Sequence, residues 1–460
     1  MSSSSASRSC DTSVGVIGSG IGGLAAAWLL ACTCRTTLYE KLAYPGGHCN
    51  TIDTPDGPID TGFIVYNERN YPNLTRLFEH LAVKTAPSNM SFGVSIDSGK
   101  IEYAGRDLPG LFAQPTNLLR PAFLRMLFDI IRFYRQAPAL LQADPAMREK
   151  LAQTTLGEFL HQQRYGEAFV AQHIIPMTAA IWSTPASKAL DAPLASFVDF
   201  CTNHGLLQLQ GRPQWRTVAG GSRCYVRKLL AEYEQRGGKL CLNTPVTQVA
   251  RENGRLVVSG AHGSQAHDHV VFACHADAAG QILVDANPQQ AEFLDAFSYQ
   301  QNRALLHTDA SLMPKRKRAW CSWNYLDCGK PERAAPCVSY WMNSLQPIAS
   351  STNYFVTLNP PNDPRPETVL RSIVYEHPLA SLAAQAARQR TWQVQGQDNI
   401  WFCGAHLGFG FHEDGIQSGL AVGEAIGGVA RPWSVDPADD RINLPAAWHQ
   451  QPDRRAAQSQ

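Results

Sequence analysis

The 460-residue sequence lacks an apolar run long enough to cross a membrane. Its longest such run, 24–32, is about half of what a spanning helix needs. It also lacks a surplus of charge. Forty Lys and Arg against 39 Asp and Glu leave +1, so bulk electrostatics do not point to nucleic acid, and no nucleic-acid partner is expected. The twelve cysteines include no C-x-x-C pair, which argues against a zinc ribbon or a redox dithiol; neither metal nor disulfide is expected. Residues 1–9 are Ser-rich with one Arg and no apolar core, unlike a secretory signal. Reduced thiols and a cytoplasmic setting follow as expectations. There is no internal repeat, and 35 Gly with 29 Pro is ordinary usage. What remains, 44% hydrophobic and 17% charged, is the composition of a folded chain of two or three domains.

Residues 14–18 are a short apolar run that breaks into glycines, 24–30 read as helix, and 36–40 as a second strand. That is the length of one βαβ unit. The stretch 109–207 differs in kind, with Leu118, Phe123, Leu127, Ile130, Ile131 and Tyr134 at helical spacing. Strand patterning returns at 239–249, 256–259 and 270–274, and short aromatic-rich strands follow over 303–357. A last strand at 400–403 runs into glycines and a helix near 419–427. Residues 1–12 and the tail 431–460 lack apolar periodicity and read as loose ends. The α/β character at both ends predicts one domain assembled from separated pieces.

Gly18, Gly20 and Gly23 form a G-x-G-x-x-G after the first strand and at the start of the helix. Gly18 permits the tight turn, Gly20 lets backbone approach a pyrophosphate, and Gly23 allows close helix–strand packing. Ile21 and Gly22 open the helix, whose N-terminus favours an anion. Glu40, twenty-two positions after Gly18, ends the second strand where a ribose would be met, with Lys41 beside it. A dinucleotide is expected, and Glu40 suits NAD and FAD equally. No second G-x-G-x-x-G follows another strand, which argues against a separate NAD(P)H domain.

After Glu40 come Pro45-Gly46-Gly47-His48 and Asp60-Thr61-Gly62-Phe63. This resembles the glycine doublet of the flavin amine-oxidase superfamily, which includes amine oxidases, protoporphyrinogen oxidases and phytoene-type desaturases. The stretch 46–81 is similar to a bacterial subfamily of amine-oxidase-like NAD/FAD-binding proteins. Trp401-Phe402-Cys403-Gly404-Ala405-His406 and the run 410–419 resemble its closing motif. The resemblance implies non-covalent FAD and an α/β fold (α+β as a whole): a glutathione-reductase-like Rossmann FAD-binding domain with an inserted mixed-sheet and helical substrate domain. The FAD domain would comprise 13–70, 212–285 and 392–430, and the substrate domain 71–211 and 286–391. Gly404 would approach the pyrophosphate, Gly415 and Ile416 would lie by the flavin ring, and Val246 would offer backbone groups to the adenine. A buried strand valine is the alternative for Val246. His48 and Ala405 stand where many members have Arg and an acid, so local contacts would differ, through His406 or Asp414.

FAD-dependent oxidation or desaturation of an apolar, fatty-acyl or lipid-type substrate is the leading reading. The similar subfamily occurs beside cyclopropane-fatty-acid-synthase-like methyltransferases, which implies a pathway partner by association only. An amine oxidase, a redox-neutral flavin isomerase and a lipid-binding protein on the same scaffold stay open. His406 and His412 flank the closing motif and are the candidate proton-moving groups; a structural hydrogen bond is the alternative for each. Tyr66 and Trp182 are candidate walls of an apolar pocket, with core packing as the alternative. Residues 108–141 mix Leu111, Phe112, Leu118, Phe123, Leu124, Phe128, Ile131 and Phe133 with Arg120, Arg125, Arg132 and Arg135. Such a stretch either lies in a membrane interface, making the protein peripheral at the inner face, or roofs the substrate cavity with its arginines in water. Lys315-Arg316-Lys317-Arg318 reads as a solvated loop that can also contact lipid phosphates.

Overall fold

The computed structural model describes residues 11–140, 150–151, 153–182, 184–208, 211–327 and 336–445. A five-stranded parallel sheet is ordered Lys239–Cys241, Arg35–Tyr39, Ser13–Ile17, His269–Phe272, Ile400–Phe402. Its strands come from three separate stretches of chain. Ser13–Ile17 is buried at every position because both faces of a parallel sheet are covered, which is why it reads as a continuous apolar run. The expected strand over 239–249 is two strands. Asn243 takes a left-handed φ of 50°, and the chain leaves the sheet to begin an antiparallel three-stranded meander at Val246–Glu252.

Helix Ile21–Leu30 is buried at all ten positions. It packs against helix His412–Gly427 through glycine, since a Cβ on Gly419 would lie 2.1 Å from the Gly22 carbonyl oxygen, and against its own phosphate loop at Gly23, where a Cβ would lie 1.9 Å from the Gly18 carbonyl oxygen. The closing helix thus begins seven residues before the expected 419. Gly415, Gly419 and Gly423 recur every four residues, weakening local helix propensity while flattening the face that meets the first helix. Glu413, on its first turn, caps helix Pro72–His80 from outside. Its carboxylate accepts from the Asn73 and Leu74 backbone N–H groups at 2.9 and 3.0 Å.

A seven-stranded sheet stands beside the first, ordered Val369–Pro378, Tyr299–His307, Phe355–Leu358, Cys337–Trp341, Trp323–Leu326, Phe92–Ile96, Ile101–Ala104. All its pairs are antiparallel except Trp323–Leu326 with Phe92–Ile96. Helices Pro121–Leu140, Ile175–Trp182 and Leu194–Asn203 close over it around Phe123, Phe133, Phe169 and Phe197. The α/β class and the mixed-sheet and helical insertion agree with expectation.

The expectation of a loose tail is corrected for residues 431–445. Arg431 pairs with Glu424 at 2.7 Å, Trp433 stacks on Trp28 at 5.9 Å, and Ile442 is 1% exposed. Three anchors scattered among Pro and Asp, Ile442 buried and Arg431 and Trp433 half-buried, hold the segment without leaving a periodic signal. The expectations for residues 1–10 and 446–460 lie outside the described residues.

Overpacking at a fixed backbone contact typically costs about 1–3 kcal/mol. Gly419→Ala is therefore expected to lower the thermal midpoint and the amount of bound cofactor. Gly280→Ala, whose Cβ would meet nothing nearer than 3.9 Å within helix Ala276–Ile282, is expected to be neutral or slightly stabilising. Equal midpoints for the two variants would show that the glycine contact does not hold the helices.

Candidate active site

A cavity of about 1360 Å³ opens at the carboxyl ends of the parallel strands and runs into the helical cap. Open α/β sheets bind ligands at those ends. Single-ligand pockets usually hold about 300–1,000 Å³, so this one has room for a dinucleotide and a substrate together.

The first end is built from the phosphate loop. Gly18 has φ of 103° and a Cβ there would strike the Ala273 carbonyl oxygen at 2.8 Å, so only glycine turns here. Gly20 faces open space, with no atom within 4 Å of where its Cβ would be. Gly18, Gly20, Ile21 and Gly22 line the cavity, and the first-turn N–H groups of the helix have no partner within it. Gly23 lies behind them as a packing contact. Glu40 lines the cavity too, and its carboxylate ties strand to loop. One oxygen accepts from Ser19 N and Oγ at 2.9 and 2.5 Å, the other from Leu42 N at 2.9 Å. The second oxygen keeps a lone pair for a ribose hydroxyl. Lys41, Gly46, Gly47, His48 and Val246 also border the cavity. Gly46 donates its N–H to Ser19 O at 3.0 Å, and Gly47, at φ 56°, sits against Gly20, so the doublet closes over the phosphate loop.

From the closing motif, Gly404, Ala405, His406 and His412 reach the wall. Asp414, Gly415 and Ile416 do not line it. The helix begins at His412, and the following turn packs inward: Asp414 caps the helix by accepting from Phe411 N at 2.7 Å, Gly415 backs onto Gly22, and Ile416 is 0% exposed in the core. Gly415 and Ile416, expected beside a flavin ring, stand behind the cavity lining, Gly415 against Gly22 and Ile416 in the core. Trp182 lines the cavity and donates its indole N–H to Phe409 O at 3.1 Å. Tyr66 does not. Its ring packs edge-on against Phe78 at 5.2 Å, inside the core beneath the first sheet.

The wall is rich in uncharged imidazole. His412 stacks on Phe63 at 3.8 Å, with Nε2 2.6 Å from the Tyr225 hydroxyl and 3.3 Å from Cys49 Sγ. His48 stacks on Tyr375 at 4.8 Å and stands 5.4 Å from His377. Burial pushes His406 and His412 down to about 3 and His377 to about 4, and holds His48 well below its ordinary value. At neutral pH each is a neutral donor and acceptor rather than a cation. His275, Tyr375, His377 and Arg212 were missed by the sequence reading. His275 follows the strand His269–Phe272, and residues just past parallel strand ends were the one available signal.

These residues fit FAD. Gly20 leaves a cradle a Cβ would fill, and Nε2 of both His48 and His406 is buried without a protein partner. Buried polar atoms are nearly always satisfied, and here a bound group would supply what the protein does not. Held there, the pyrophosphate would take the loop N–H groups, the ribose Glu40, and further polar atoms His48 and His406. Among the described residues no group of three or more His, Cys, Asp or Glu could hold a metal, and no helix is long and apolar enough to cross a membrane.

Residues 21–312 match the family model of flavin containing amine oxidoreductases. The hydroxyneurosporene desaturase of Rhodobacter capsulatus is 40% identical over 84 residues, an alignment that covers only 17% of each chain. Among solved structures, cyclohexylamine oxidase from Brevibacterium oxydans has a TM-score of 0.64 at 17% identity, covering 91% of this chain and 99% of that one. A fatty acid isomerase from P. acnes, which produces CLA, has a TM-score of 0.63 at 16% identity, with coverage of 91% and 99%. The structural likenesses establish the fold, while the family model spans well over half of this chain. The chain belongs to the flavin-containing amine oxidoreductase family and is an FAD-dependent oxidoreductase.

Proposed function

We propose that the protein oxidises or desaturates an apolar, fatty-acyl-type substrate with an acidic head. The observation that carries this is the chemistry of the cavity beyond the phosphate loop. Its walls there are aromatic and aliphatic, with Tyr103, Tyr134, Met177, Ile181, Trp182 and Phe200 among them. Among the described residues the only carboxylates on the lining are Glu40, at the phosphate loop, and Glu376, which is 3.1 Å from His275. A cationic amine would find no counter-charge on the apolar walls. Arg212 does offer one to an anion. It is exposed at the edge of the cavity and donates only to the backbone carbonyls of Gln208 and Gly105, without an ion pair among the described residues. The names of the Rhodobacter desaturase and the P. acnes fatty acid isomerase lend support to an apolar substrate.

The chemistry FAD supplies when bound is acceptance of a hydride from a substrate C–H. The chain's own contribution is to bind and to exclude water. Arg212 holds the head, while Trp182 and Phe200 line the path of the chain and keep it dry. Neutral His406 and His412 offer ring nitrogens without placing a cation beside an apolar substrate.

On anaerobic mixing, fatty acids or phospholipids are expected to bleach the flavin absorbance band; bleaching by amines alone would overturn the proposal. Arg212→Gln is expected to raise KM for acid-headed substrates about 5–30-fold with kcat little changed, given about 1–2 kcal/mol for an exposed charge-assisted contact. An unchanged KM would remove Arg212 from recognition.

The buried histidines also set a pH dependence. His173 and His377 titrate near 4, and His204, His406 and His412 near 3, all driven down by burial from an ordinary 6.5. Below 6.5 each takes up a proton on unfolding but not while folded, so stability falls with pH by about 1.4 kcal/mol per unit for each. Asp60 near 6 and Glu413 near 7, raised by burial, act in the opposite direction, as does Asp414, also raised by burial. Five imidazoles outweigh three carboxyls, so the thermal midpoint is expected to drop steeply from pH 6.5 to 4.5. A flat profile there would mean that the histidines are not buried as neutral rings.

A further inference from the structure

Six of the twelve large apolar side chains exposed among the described residues fall within residues 108–131. Leu108 is 71% exposed, Leu119 83% and Phe128 62%. Helix Pro121–Leu140 is apolar on two faces. Phe123, Met126 and Phe133 point into the core, while Leu124, Phe128 and Ile131 form an outer stripe at helical spacing. A water-facing surface does not need that second stripe, and contiguous exposed apolar patches mark contact sites.

The rim of the patch is basic. Residues 105–140 hold five arginines and two aspartates, and one of these, Asp129, is fully buried beneath Arg125 and Arg132. The exposed Lys317 and Arg318 adjoin the patch, because Arg106 donates to the carbonyls of Arg318 and Trp320. Lys100 stands on the same side, its carbonyl accepting from Arg120 at 2.8 Å. Apolar side chains ringed by guanidinium and ammonium groups match a surface with an anionic headgroup layer over an apolar interior.

We propose that the face made by Leu108, Leu118, Leu119, Leu124, Phe128 and Ile131, with its Arg and Lys rim, docks on an anionic lipid bilayer. The docked face adjoins the cavity. Tyr134, on the same helix, lines it from within, and Gly105 and Arg212 border it where they are exposed. A lipid leaving the bilayer would enter beside Arg212. That last step rests on the substrate reading above; the docking itself rests on exposure and charge.

The test uses the full FAD-loaded chain and vesicles of phosphatidylcholine with and without phosphatidylglycerol. Co-sedimentation is expected with the anionic vesicles and to weaken with salt. Leu119→Ser with Phe128→Ser is expected to reduce binding at least tenfold. Arg135→Gln with Arg318→Gln is expected to reduce it roughly thirtyfold, from about fivefold per basic residue near an anionic surface. Val284→Ser, which removes a 59% exposed valine elsewhere, should leave binding unchanged. Flavin absorbance and thermal midpoint should be intact in all variants, since every changed side chain is exposed. Equal binding to neutral and anionic vesicles, or binding indifferent to the two double variants, overturns the proposal. So does a dimer that the Leu119 and Phe128 changes dissolve without any vesicle binding. If docking holds while detergent-dispersed lipids fail to bleach the flavin, the substrate reading falls and the docking surface stands.

Discussion

The close approach of Gly22 and Gly419 is the contact on which the rest depends. Two helices from opposite ends of the chain meet backbone to backbone, with no room for a single Cβ between them. The first helix carries the phosphate loop at its N-terminus. The second begins at His412, beside Gly404 and His406 on the cavity wall. Pressing the two together therefore brings both halves of the cofactor site into one place. Glu413 extends the same constraint to helix Pro72–His80, and Arg431 and Trp433 brace it from the outside. Close packing of this kind transmits small displacements, so the site inherits the precision of the helix contact.

The second governing feature is a stretch of wall made of uncharged imidazole. Burial keeps His48, His377, His406 and His412 neutral, because charging an imidazole away from water costs more than its neighbours return. Two of these rings stack on aromatic partners instead, His412 on Phe63 and His48 on Tyr375, and His275 on the same wall stacks on Tyr299. On the substrate reading proposed above, neutral rings here leave no imidazolium beside the apolar chain from which hydride is taken. The chamber's outer helix then turns a second apolar face outward, with Leu124, Phe128 and Ile131 exposed along it.

Legibility of the site in the sequence followed the range of the physics involved. Gly18, Gly20 and Gly23 could be read with their separate roles because a turn, an open cradle and a tight packing contact are each demands of local backbone. Glu40 could be placed because strand length fixes how far it stands from the loop. Tyr66 and Trp182 could not be told apart, since an aromatic ring suits a core and a cavity wall equally. The closing helix was read too short because its glycines lower local propensity, and only the partner helix explains why they are there. The tail was misread because Arg431, Trp433 and Ile442 are single anchors without a period. Arg212 and His377 carried no motif at all.

By itself the sequence determined the α/β class and the dinucleotide loop, because these rest on short spacings that the backbone must satisfy wherever they occur; the flavin family entered through the resemblance of the glycine doublet and the closing motif. Tertiary structure alone decided which residues face the cavity, that Gly415 and Ile416 support the wall rather than form it, and that residues 108–131 keep an apolar face exposed. Those outcomes depend on which side of an element meets a partner distant in the chain. Burial is a property of the assembled layers, and no local pattern encodes it.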